Sequence, residues 1–427
     1  MNVVPFSRIR TVILVLAFCI FALGIGYRLG ERKAQIAVTA DKRIIINQEP
    51  PVGAAVNFSL FWDVWQRLTR SYIDKSALNP QKMVWGAIEG MVNALDDPYT
   101  VFLPPKDNKE FKADLGGQFE GIGAQLGIKD GHIIILAPLK GMPAEKAGIR
   151  AGDTIVNVND ESTLGWTVEQ AVAKIRGPRG TKVTLEILHE GSTKPISVTV
   201  TRETITVSSV DWWIKQPAEM TQIAGAALFK SLSAKAGKVI YISLSRFGDN
   251  TNDEWTKAVQ DIATQYAKDK TIKGLIFDLR SNPGGYLESS VFIASEFIKS
   301  GTIVSQVNSD GSRQDYTVEH AGKLLTVPVV VLVNKYSASA AEIVAGALRD
   351  YKRATIVGET SFGKGSVQTP EDLSDGSGLH ITTGKWLLPK GDTIDKKGIT
   401  PDVIVTEEGS TATSDAQLAK AVELLLK

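Results

Sequence analysis

The sequence predicts an α/β protein: a mixed α/β core whose strands alternate with helices, a β-rich segment inserted ahead of it, and a helical region at the N-terminal side. Three observations predict this. After Thr204, short apolar runs and amphipathic stretches take turns, the pattern of parallel strands joined by crossover helices. Between about Gly117 and Glu203 the pattern shifts to short strands punctuated by glycine turns. Between Phe58 and Leu95, apolar residues recur at helical spacing. At 427 residues the chain exceeds one ordinary core, so two or three domains are expected.

At the N-terminus, Arg8 and Arg10 precede an apolar run from Thr11 to about Gly26. The run sits near the short limit of a spanning helix and also resembles the core of a signal peptide. The preferred reading of residues 1–30 is an uncleaved signal anchor, the alternative a cleaved signal. Either exports the rest of the chain, and the first makes the membrane a partner. Phe18, directly before Cys19, argues against a lipid on that cysteine. Residues 31–55, with Glu49-Pro50-Pro51 near their end, read as a linker. In the helical region, residues 56–116, Phe58, Phe61, Trp62, Trp65 and Leu68 recur at helical spacing, then Met83, Val84, Ala87, Ile88, Met91, Val92 and Leu95, and the aromatics are expected to pack in a core.

Composition excludes several functions. A formal net charge of +1 gives no electrostatic basis for a nucleic-acid partner. One cysteine allows neither an internal disulfide nor a cysteine-based metal site. The four histidines, His132, His189, His320 and His380, lack metal-ligand spacing, so no metal and no cofactor is expected.

Within residues 117–203 two stretches stand out. Phe119-Glu120-Gly121-Ile122-Gly123-Ala124-Gln125-Leu126 is a glycine-containing loop running into an alternating strand. Gly141-Met142-Pro143-Ala144-Glu145-Lys146-Ala147-Gly148, continuing to Ile155, joins a short helix to a strand, and a second helix follows near Thr167–Ile175. The succession resembles a PDZ domain. That resemblance implies peptide capture: backbone N–H groups of Gly121, Ile122, Gly123 and Ala124 hold a terminal carboxylate, and the next strand offers an edge for β-addition.

In the core, residues 204–410, strands are expected at Val239–Ser245, Gly274–Leu279, Val327–Val333 and Thr355–Val357. Helices are expected at Asp253–Tyr266, Leu287–Phe297 and Ala340–Asp350. Sites in such layers lie at strand ends. Residues 411–427 hold a last helix, with Leu418, Val422 and Leu425 on one face.

Three strand-ends carry chemistry. Asp278-Leu279-Arg280-Ser281-Asn282-Pro283-Gly284-Gly285 ends a buried strand in a turn whose glycines bare their N–H groups, as an oxyanion site requires. Asn334-Lys335-Tyr336-Ser337-Ala338-Ser339-Ala340-Ala341-Glu342 leads another strand into a helix. Ser337 or Ser339 there sits at the positive end of a helix dipole, and Glu342 completes a capping box from Ser339. Lys364, between Gly363 and Gly365 and beside Phe362 and Val367, follows the third strand. To serve as a base it must be neutral, and bringing an amine from ~10.4 towards 7 costs about 4–5 kcal/mol, which a confined apolar setting supplies.

Together, Ser339-Ala340-Ala341-Glu342, Phe362-Gly363-Lys364-Gly365 with Gln368, and the Asp278 to Gly285 run resemble the C-terminal processing (tail-specific) peptidases. The match runs from about Phe58 to the end and includes Leu388-Pro389-x-Gly391 and Gly398-Ile399-Thr400-Pro401-Asp402. The resemblance implies a serine endopeptidase with Ser339 as nucleophile, Lys364 as general base and Gln368 orienting the lysine. It implies an oxyanion hole from the N–H of Ala340 and that of Gly284 or Gly285. It further implies that the PDZ domain binds unstructured C-terminal tails of protein substrates and gates the site, with Arg176 as a candidate link to Gln368. Under it, a homodimer through terminal helices and an activating partner protein both stay open. Two rivals remain: a tail-binding scaffold that does not cut, and a peptidase with a Ser-His-Asp triad.

Overall fold

The computed structural model describes residues 57–220, 232, 236–406 and 415–427. The apolar N-terminal run read as an anchor therefore lies outside the described residues. Among the described residues no helix is long and apolar enough to cross a membrane.

The chain divides into two units at Pro80. In the first, helix α1 (Ser59–Ser71) carries the aromatic stripe, and Phe61, Trp62 and Trp65 touch one another with ring centroids within 6.2 Å. Among the described residues Phe61, Trp62 and Trp65 of this stripe are half-buried. Helix α1 buries none of its residues, and Phe58 and Leu68 are exposed. Helical period fixes which side chains share a face; it does not supply a layer to cover that face.

The second unit opens with α2 (Pro80–Asn93), where Val92 is buried but Met91 is exposed. Strand β1 (Val101–Leu103) and helix α3 (Pro105–Leu115) lead to β2 (Gln118–Gly121). Then come β3 (Ala124–Lys129), β4 (His132–Pro138), α4 (Pro143–Lys146), β5 (Thr154–Val158), β6 (Glu161–Ser162), α5 (Val168–Ile175), β7 (Lys182–Leu188) and β8 (Ile196–Thr201). Their sheet runs in the order β3-β4-β5-β7-β8, antiparallel throughout, around a core of its own that includes Ile122, Ile135, Ile155, Leu185 and Ile187. Strand β3 lies at the edge, with α5 packed beside it. Helix α5 starts at a capping box: the Gln170 N–H donates to Thr167 Oγ1 (3.3 Å), and the Thr167 N–H to Gln170 Oε1 (2.9 Å). Its last carbonyls, of Lys174 and Ile175, accept from the buried Arg202 guanidinium. Strand β9 (Glu203–Thr206) then pairs antiparallel with β2, so the insert leaves and re-enters through one two-stranded ribbon.

The core follows as β10 (Val210–Lys215), β11 (Lys238–Leu244), α6 (Thr251–Lys268), β12 (Ile272–Asp278), α7 (Leu287–Ser295), β13 (Thr302–Asn308), β14 (Arg313–Thr317), β15 (Val329–Val333), α8 (Ala340–Asp350), β16 (Ala354–Gly358), β17 (Ser366–Asp372), β18 (Gly378–Leu387), β19 (Val403–Ile404) and α9 (Ala416–Leu425). The central sheet runs β10-β11-β12-β15-β16-β19, parallel except for β10 at its edge. Alternate residues of each strand serve opposite layers, as the two-residue period demands. Leu275 and Phe277 pack with Trp255, Phe297 and α8, whereas Ile276, Val330 and Leu332 pack with Leu418 and Val422 of α9. Helix α9 is fastened at its start. Arg280 makes ion pairs with Asp278 (2.6 Å) and Asp415 (2.8 Å), and Asp415 also caps the N–H of Leu418.

A second, antiparallel sheet escaped the sequence reading. It runs β1-β18-β13-β14, with β17 on the other side of β18. Strands β14 and β17 are largely exposed and polar, so no apolar run marks them.

Candidate active site

Strands β12, β15 and β16 are parallel neighbours, with Asp278 opposite Leu332 and Val333 opposite Gly358. Parallel register makes the chain leave all three at one edge, so their three turns lie side by side. Backbone bonds lock them: the Ala338 N–H donates to Asn282 O (2.9 Å), and the Phe362 N–H to Ser337 O (3.0 Å). Asn334 adds a side-chain tie, its Oδ1 accepting from the Ser281 N–H at 2.9 Å.

Two serines compete in the turn before α8, and the structure separates them. Ser337 is fully buried, with its hydroxyl donating to Leu279 O (2.8 Å) and accepting from the Asn334 N–H (2.9 Å). That hydroxyl is committed to the turn. Ser339 stands at the start of α8 with φ 54° and ψ −117°. A non-glycine residue held there stores about 1–3 kcal/mol, a cost met by its surroundings and typical of a side chain presented for chemistry.

The surroundings responsible converge on Glu342, in the first turn of α8. Its carboxylate is fully buried and accepts four bonds: from Ser361 Oγ (2.6 Å) and the Gly363 N–H (2.7 Å) on Oε1, and from the N–H groups of Ser339 and Lys364 (2.9 Å each) on Oε2. Burial pushes its carboxyl above the usual range, and the four donors pull against that. Sequence reading found only the capping box; the hold on the lysine turn was missed. A carboxylate three residues after a nucleophile, pointing back over the helix start, was the available signal. Ser361 in turn accepts from the Ile399 N–H (2.6 Å), which gives the Gly398-Ile399 motif its place.

The glycine turn presses against Ser339. A Cβ at Gly284, where φ is +99°, would lie 2.7 Å from Ser339 Cβ and 3.0 Å from Ala340 N. The Gly284 N–H is occupied, donating to Asn282 Oδ1 at 2.8 Å, while Asn282 Nδ2 donates to Leu244 O. The N–H groups of Gly285 and Ala340 have no acceptor among the described residues. Phe247 bonds to the flanks of Gly285, accepting from the Tyr286 N–H and donating to Gly284 O, which leaves the Gly285 N–H facing away from it.

Lys364 is half-buried, and its amine has no ion pair or hydrogen bond among the described residues. Burial pushes the amine below the ordinary lysine value; Asp97 and Glu342 oppose this through their charge. The expected apolar shield is corrected in one respect. Phe362 is 54% exposed, because its N–H is turned in to Ser337 O and its ring outward. The aromatic cover comes instead from Tyr99, whose ring centroid lies 5.1 Å from Lys364 Nζ.

Gln368, at the start of β17, does not touch the lysine. Its Nε2 donates to Ser366 Oγ (2.8 Å) and Thr382 Oγ1 (3.2 Å). Nor does the structure join Arg176 to Gln368: the guanidinium stacks over Phe119, 4.6 Å from the ring centroid. In the loop between β2 and β3, the N–H groups of Ile122 and Gly123 have no acceptor among the described residues, and Ile122 O accepts from the Ala144 N–H. Gly121 ends the ribbon strand, paired with Glu203, and Ala124 opens the edge strand. Gly123 has φ +72°, and a Cβ there would lie 2.5 Å from Met142 Cβ. Among the described residues no acidic, histidine or cysteine group is arranged to hold a metal.

Comparison with known proteins accords with this geometry. Residues 238–405 match the model of peptidase family S41, residues 110–188 that of the PDZ domain, and residues 29–106 that of the activating protease CtpB N-terminal domain. Among curated relatives, the carboxy-terminal processing protease CtpA of Bacillus subtilis is 37% identical over 399 residues, covering 93% of this chain and 76% of the relative. The carboxyl-terminal-processing protease of Synechocystis is 35% identical over 419 residues, covering 96% and 92%. In fold alone, the chain is similar to a solved protein described as an S41 protease from Bacteroides fragilis, at 18% identity and a TM-score of 0.54, over 89% of this chain and 98% of that one.

Proposed function

Because this chain belongs to the carboxy-terminal processing proteases of peptidase family S41, we propose that its serine-peptidase chemistry is carried by Ser339 and Lys364. The chain is a serine peptidase with a PDZ domain, acting on proteins. The observation that carries the residue assignment is the shared carboxylate: Glu342 holds the backbone of both residues, and Ser339 is kept in a strained backbone conformation at the start of α8.

In the mechanism read from these residues, neutral Lys364 takes the Ser339 proton as Oγ attacks the scissile carbonyl. The developing oxyanion is met by the N–H groups of Ala340 and Gly285, since that of Gly284 is taken by Asn282. Lys364 then passes the proton to the leaving amine, and water releases the acyl group by the same route. Gln368 acts on the lysine indirectly, from the Ser366 and Thr382 hydroxyls. The open edge of β3 and the unpaired N–H groups of Ile122 and Gly123 suit the C-terminal tail of a substrate, which adds as a strand. Arg176, which stacks on Phe119 in the ribbon strand next to that loop, is the residue that senses that occupancy in this reading.

The test is turnover of an unstructured protein ending in apolar residues. Ser339→Ala and Lys364→Ala each abolish cleavage while tail binding persists. Wild-type binding without cutting supports the scaffold reading, and full activity in Lys364→Ala supports a histidine triad; either result defeats the assignment.

Residues 1–30 extend this reading to an exported, membrane-anchored enzyme, supported by Arg8 and Arg10 ahead of the Thr11–Gly26 run. The exposed apolar side chains of α1, Leu60, Val64 and Leu68 among the described residues, support a homodimer. Fractionation of cells and sedimentation of the purified chain test the two.

A further inference from the structure

We propose that the segment Asp97–Thr100, which precedes the PDZ insert, is a positioning element for the catalytic lysine: the Tyr99 ring seats the Lys364 amine, and the Asp97 carboxylate stabilises the ammonium that forms when the serine proton arrives. This rests on the assignment of Lys364 as base.

The segment is built for one geometry. Asp97 Oδ1 accepts from the Tyr99 N–H (3.1 Å) and Oδ2 from Thr100 Oγ1 (2.7 Å). Thr100 is buried, and its Oγ1 accepts from the Thr382 N–H at 3.0 Å. Asp97 is thus tied to β18 through Thr100. Thr382 is also where Gln368 donates. A path therefore runs from Gln368 through Thr382 and Thr100 to Asp97, and the residue expected to orient the lysine reaches it by way of this acid. Burial alone would raise the Asp97 carboxyl, but the Thr382, Thr100 and backbone donors outweigh it and keep Asp97 ionised.

Other groups face the amine as well. Glu342 approaches from α8, but all its bonds go to the two turns it holds. His380, on β18, is held below its ordinary value by burial and then by the Lys364 charge, so it adds no positive charge near neutrality. Asp395, beside Gly365, acts on the Tyr99 hydroxyl. Asp97, bound to the backbone of the very tyrosine whose ring lies over the amine, is the carboxylate left to answer the Lys364 charge. An acid that stays ionised while stabilising a base's protonated form is the logic of the third member of a serine triad.

The experiment reads the lysine directly. In the full chain carrying Ser339→Ala, labelling of Lys364 by an amine-reactive reagent, followed across pH by mass spectrometry, gives the midpoint of its deprotonation without turnover. Asp97→Asn is expected to move that midpoint to lower pH by about half a unit or more. With Ser339 intact, the same change moves the rising limb of kcat/KM in the same direction and lowers kcat about tenfold with KM unchanged. Tyr99→Leu also moves the midpoint down, and Tyr99→Phe, which keeps the ring, restores it. Should Asp97→Asn not fold, the Tyr99 pair decides. A midpoint unmoved in every folded variant overturns the proposal, whereas loss of the base assignment would show separately, as turnover surviving Lys364→Ala.

Discussion

Ser339 and Lys364 donate their backbone N–H groups to one and the same oxygen, Oε2 of Glu342, each over 2.9 Å. The two nitrogens are therefore held no farther apart than twice that distance. A nucleophile and its base from separate turns share a single anchor, and the anchor is an acid with no exposure to water.

Replacing that anchor should undo both turns together. Glu342→Ala leaves four donors without their acceptor, each costing about 1–3 kcal/mol if it finds no water. We expect activity to fall at least a hundredfold and the denaturation midpoint to drop, read by tail cleavage and by urea unfolding. Native stability with activity lost would mean that Glu342 acts on chemistry alone.

The pH profile follows from Lys364. Its neutral form is the base, and burial favours that form, so kcat/KM should rise with pH through a midpoint below the ordinary 10.5. The linkage to stability has a definite sign. The folded chain releases the lysine proton more readily than the unfolded one, so this group's penalty is greatest at low pH and fades as pH climbs from the folded to the unfolded value. Lys364→Met should be inactive yet more resistant to urea near neutrality than the wild type, and a wild type that outlasts it there would contradict a buried amine.

Gly284→Ala tests the fit of the glycine turn. Its Cβ would meet Ser339 Cβ at 2.7 Å and Ala338 O at 2.9 Å, in a backbone region that side chains avoid. Cleavage should fall by two orders of magnitude or more, with the fold retained by circular dichroism. Gly311→Ala, also at positive φ but with open space around it, is the control and should leave the rate unchanged.

The fastening of α9 is testable away from chemistry. Arg280 is half-buried between Asp278 and Asp415, and Tyr241 also donates to Asp278 at 2.8 Å. Removing one partner of a buried pair typically costs about 3–5 kcal/mol. Arg280→Met should show that loss in urea unfolding and free α9 to limited proteolysis.

How much of this was legible depends on range. Ser339, the glycine turn and Lys364 each lie directly after an apolar strand, so short motifs carried them, and the parallel alternation carried the central sheet. Asp97 and Tyr99 gave no signal, because their meaning arises only when β18 brings Thr382 to them. The same holds for Asn282, whose bond to Leu244 O crosses between strand ends. Phe362 was placed by adjacency in sequence and Arg176 by resemblance, and neither says which way a side chain turns. The antiparallel sheet was hidden for a related reason: β14 and β17 are held by their pairing and are largely exposed, so burial does not mark them.

The ribbon of β2 and β9 has a consequence for how such a chain comes to exist. With Gln118 facing Thr206 and Gly121 facing Glu203, the eighty or so residues between them hang on a stem only two strands wide. Excising that bulb would leave ends already in contact, fit for a short turn, so the recognition module can be exchanged for one with different taste while the cutting edge stays as it was.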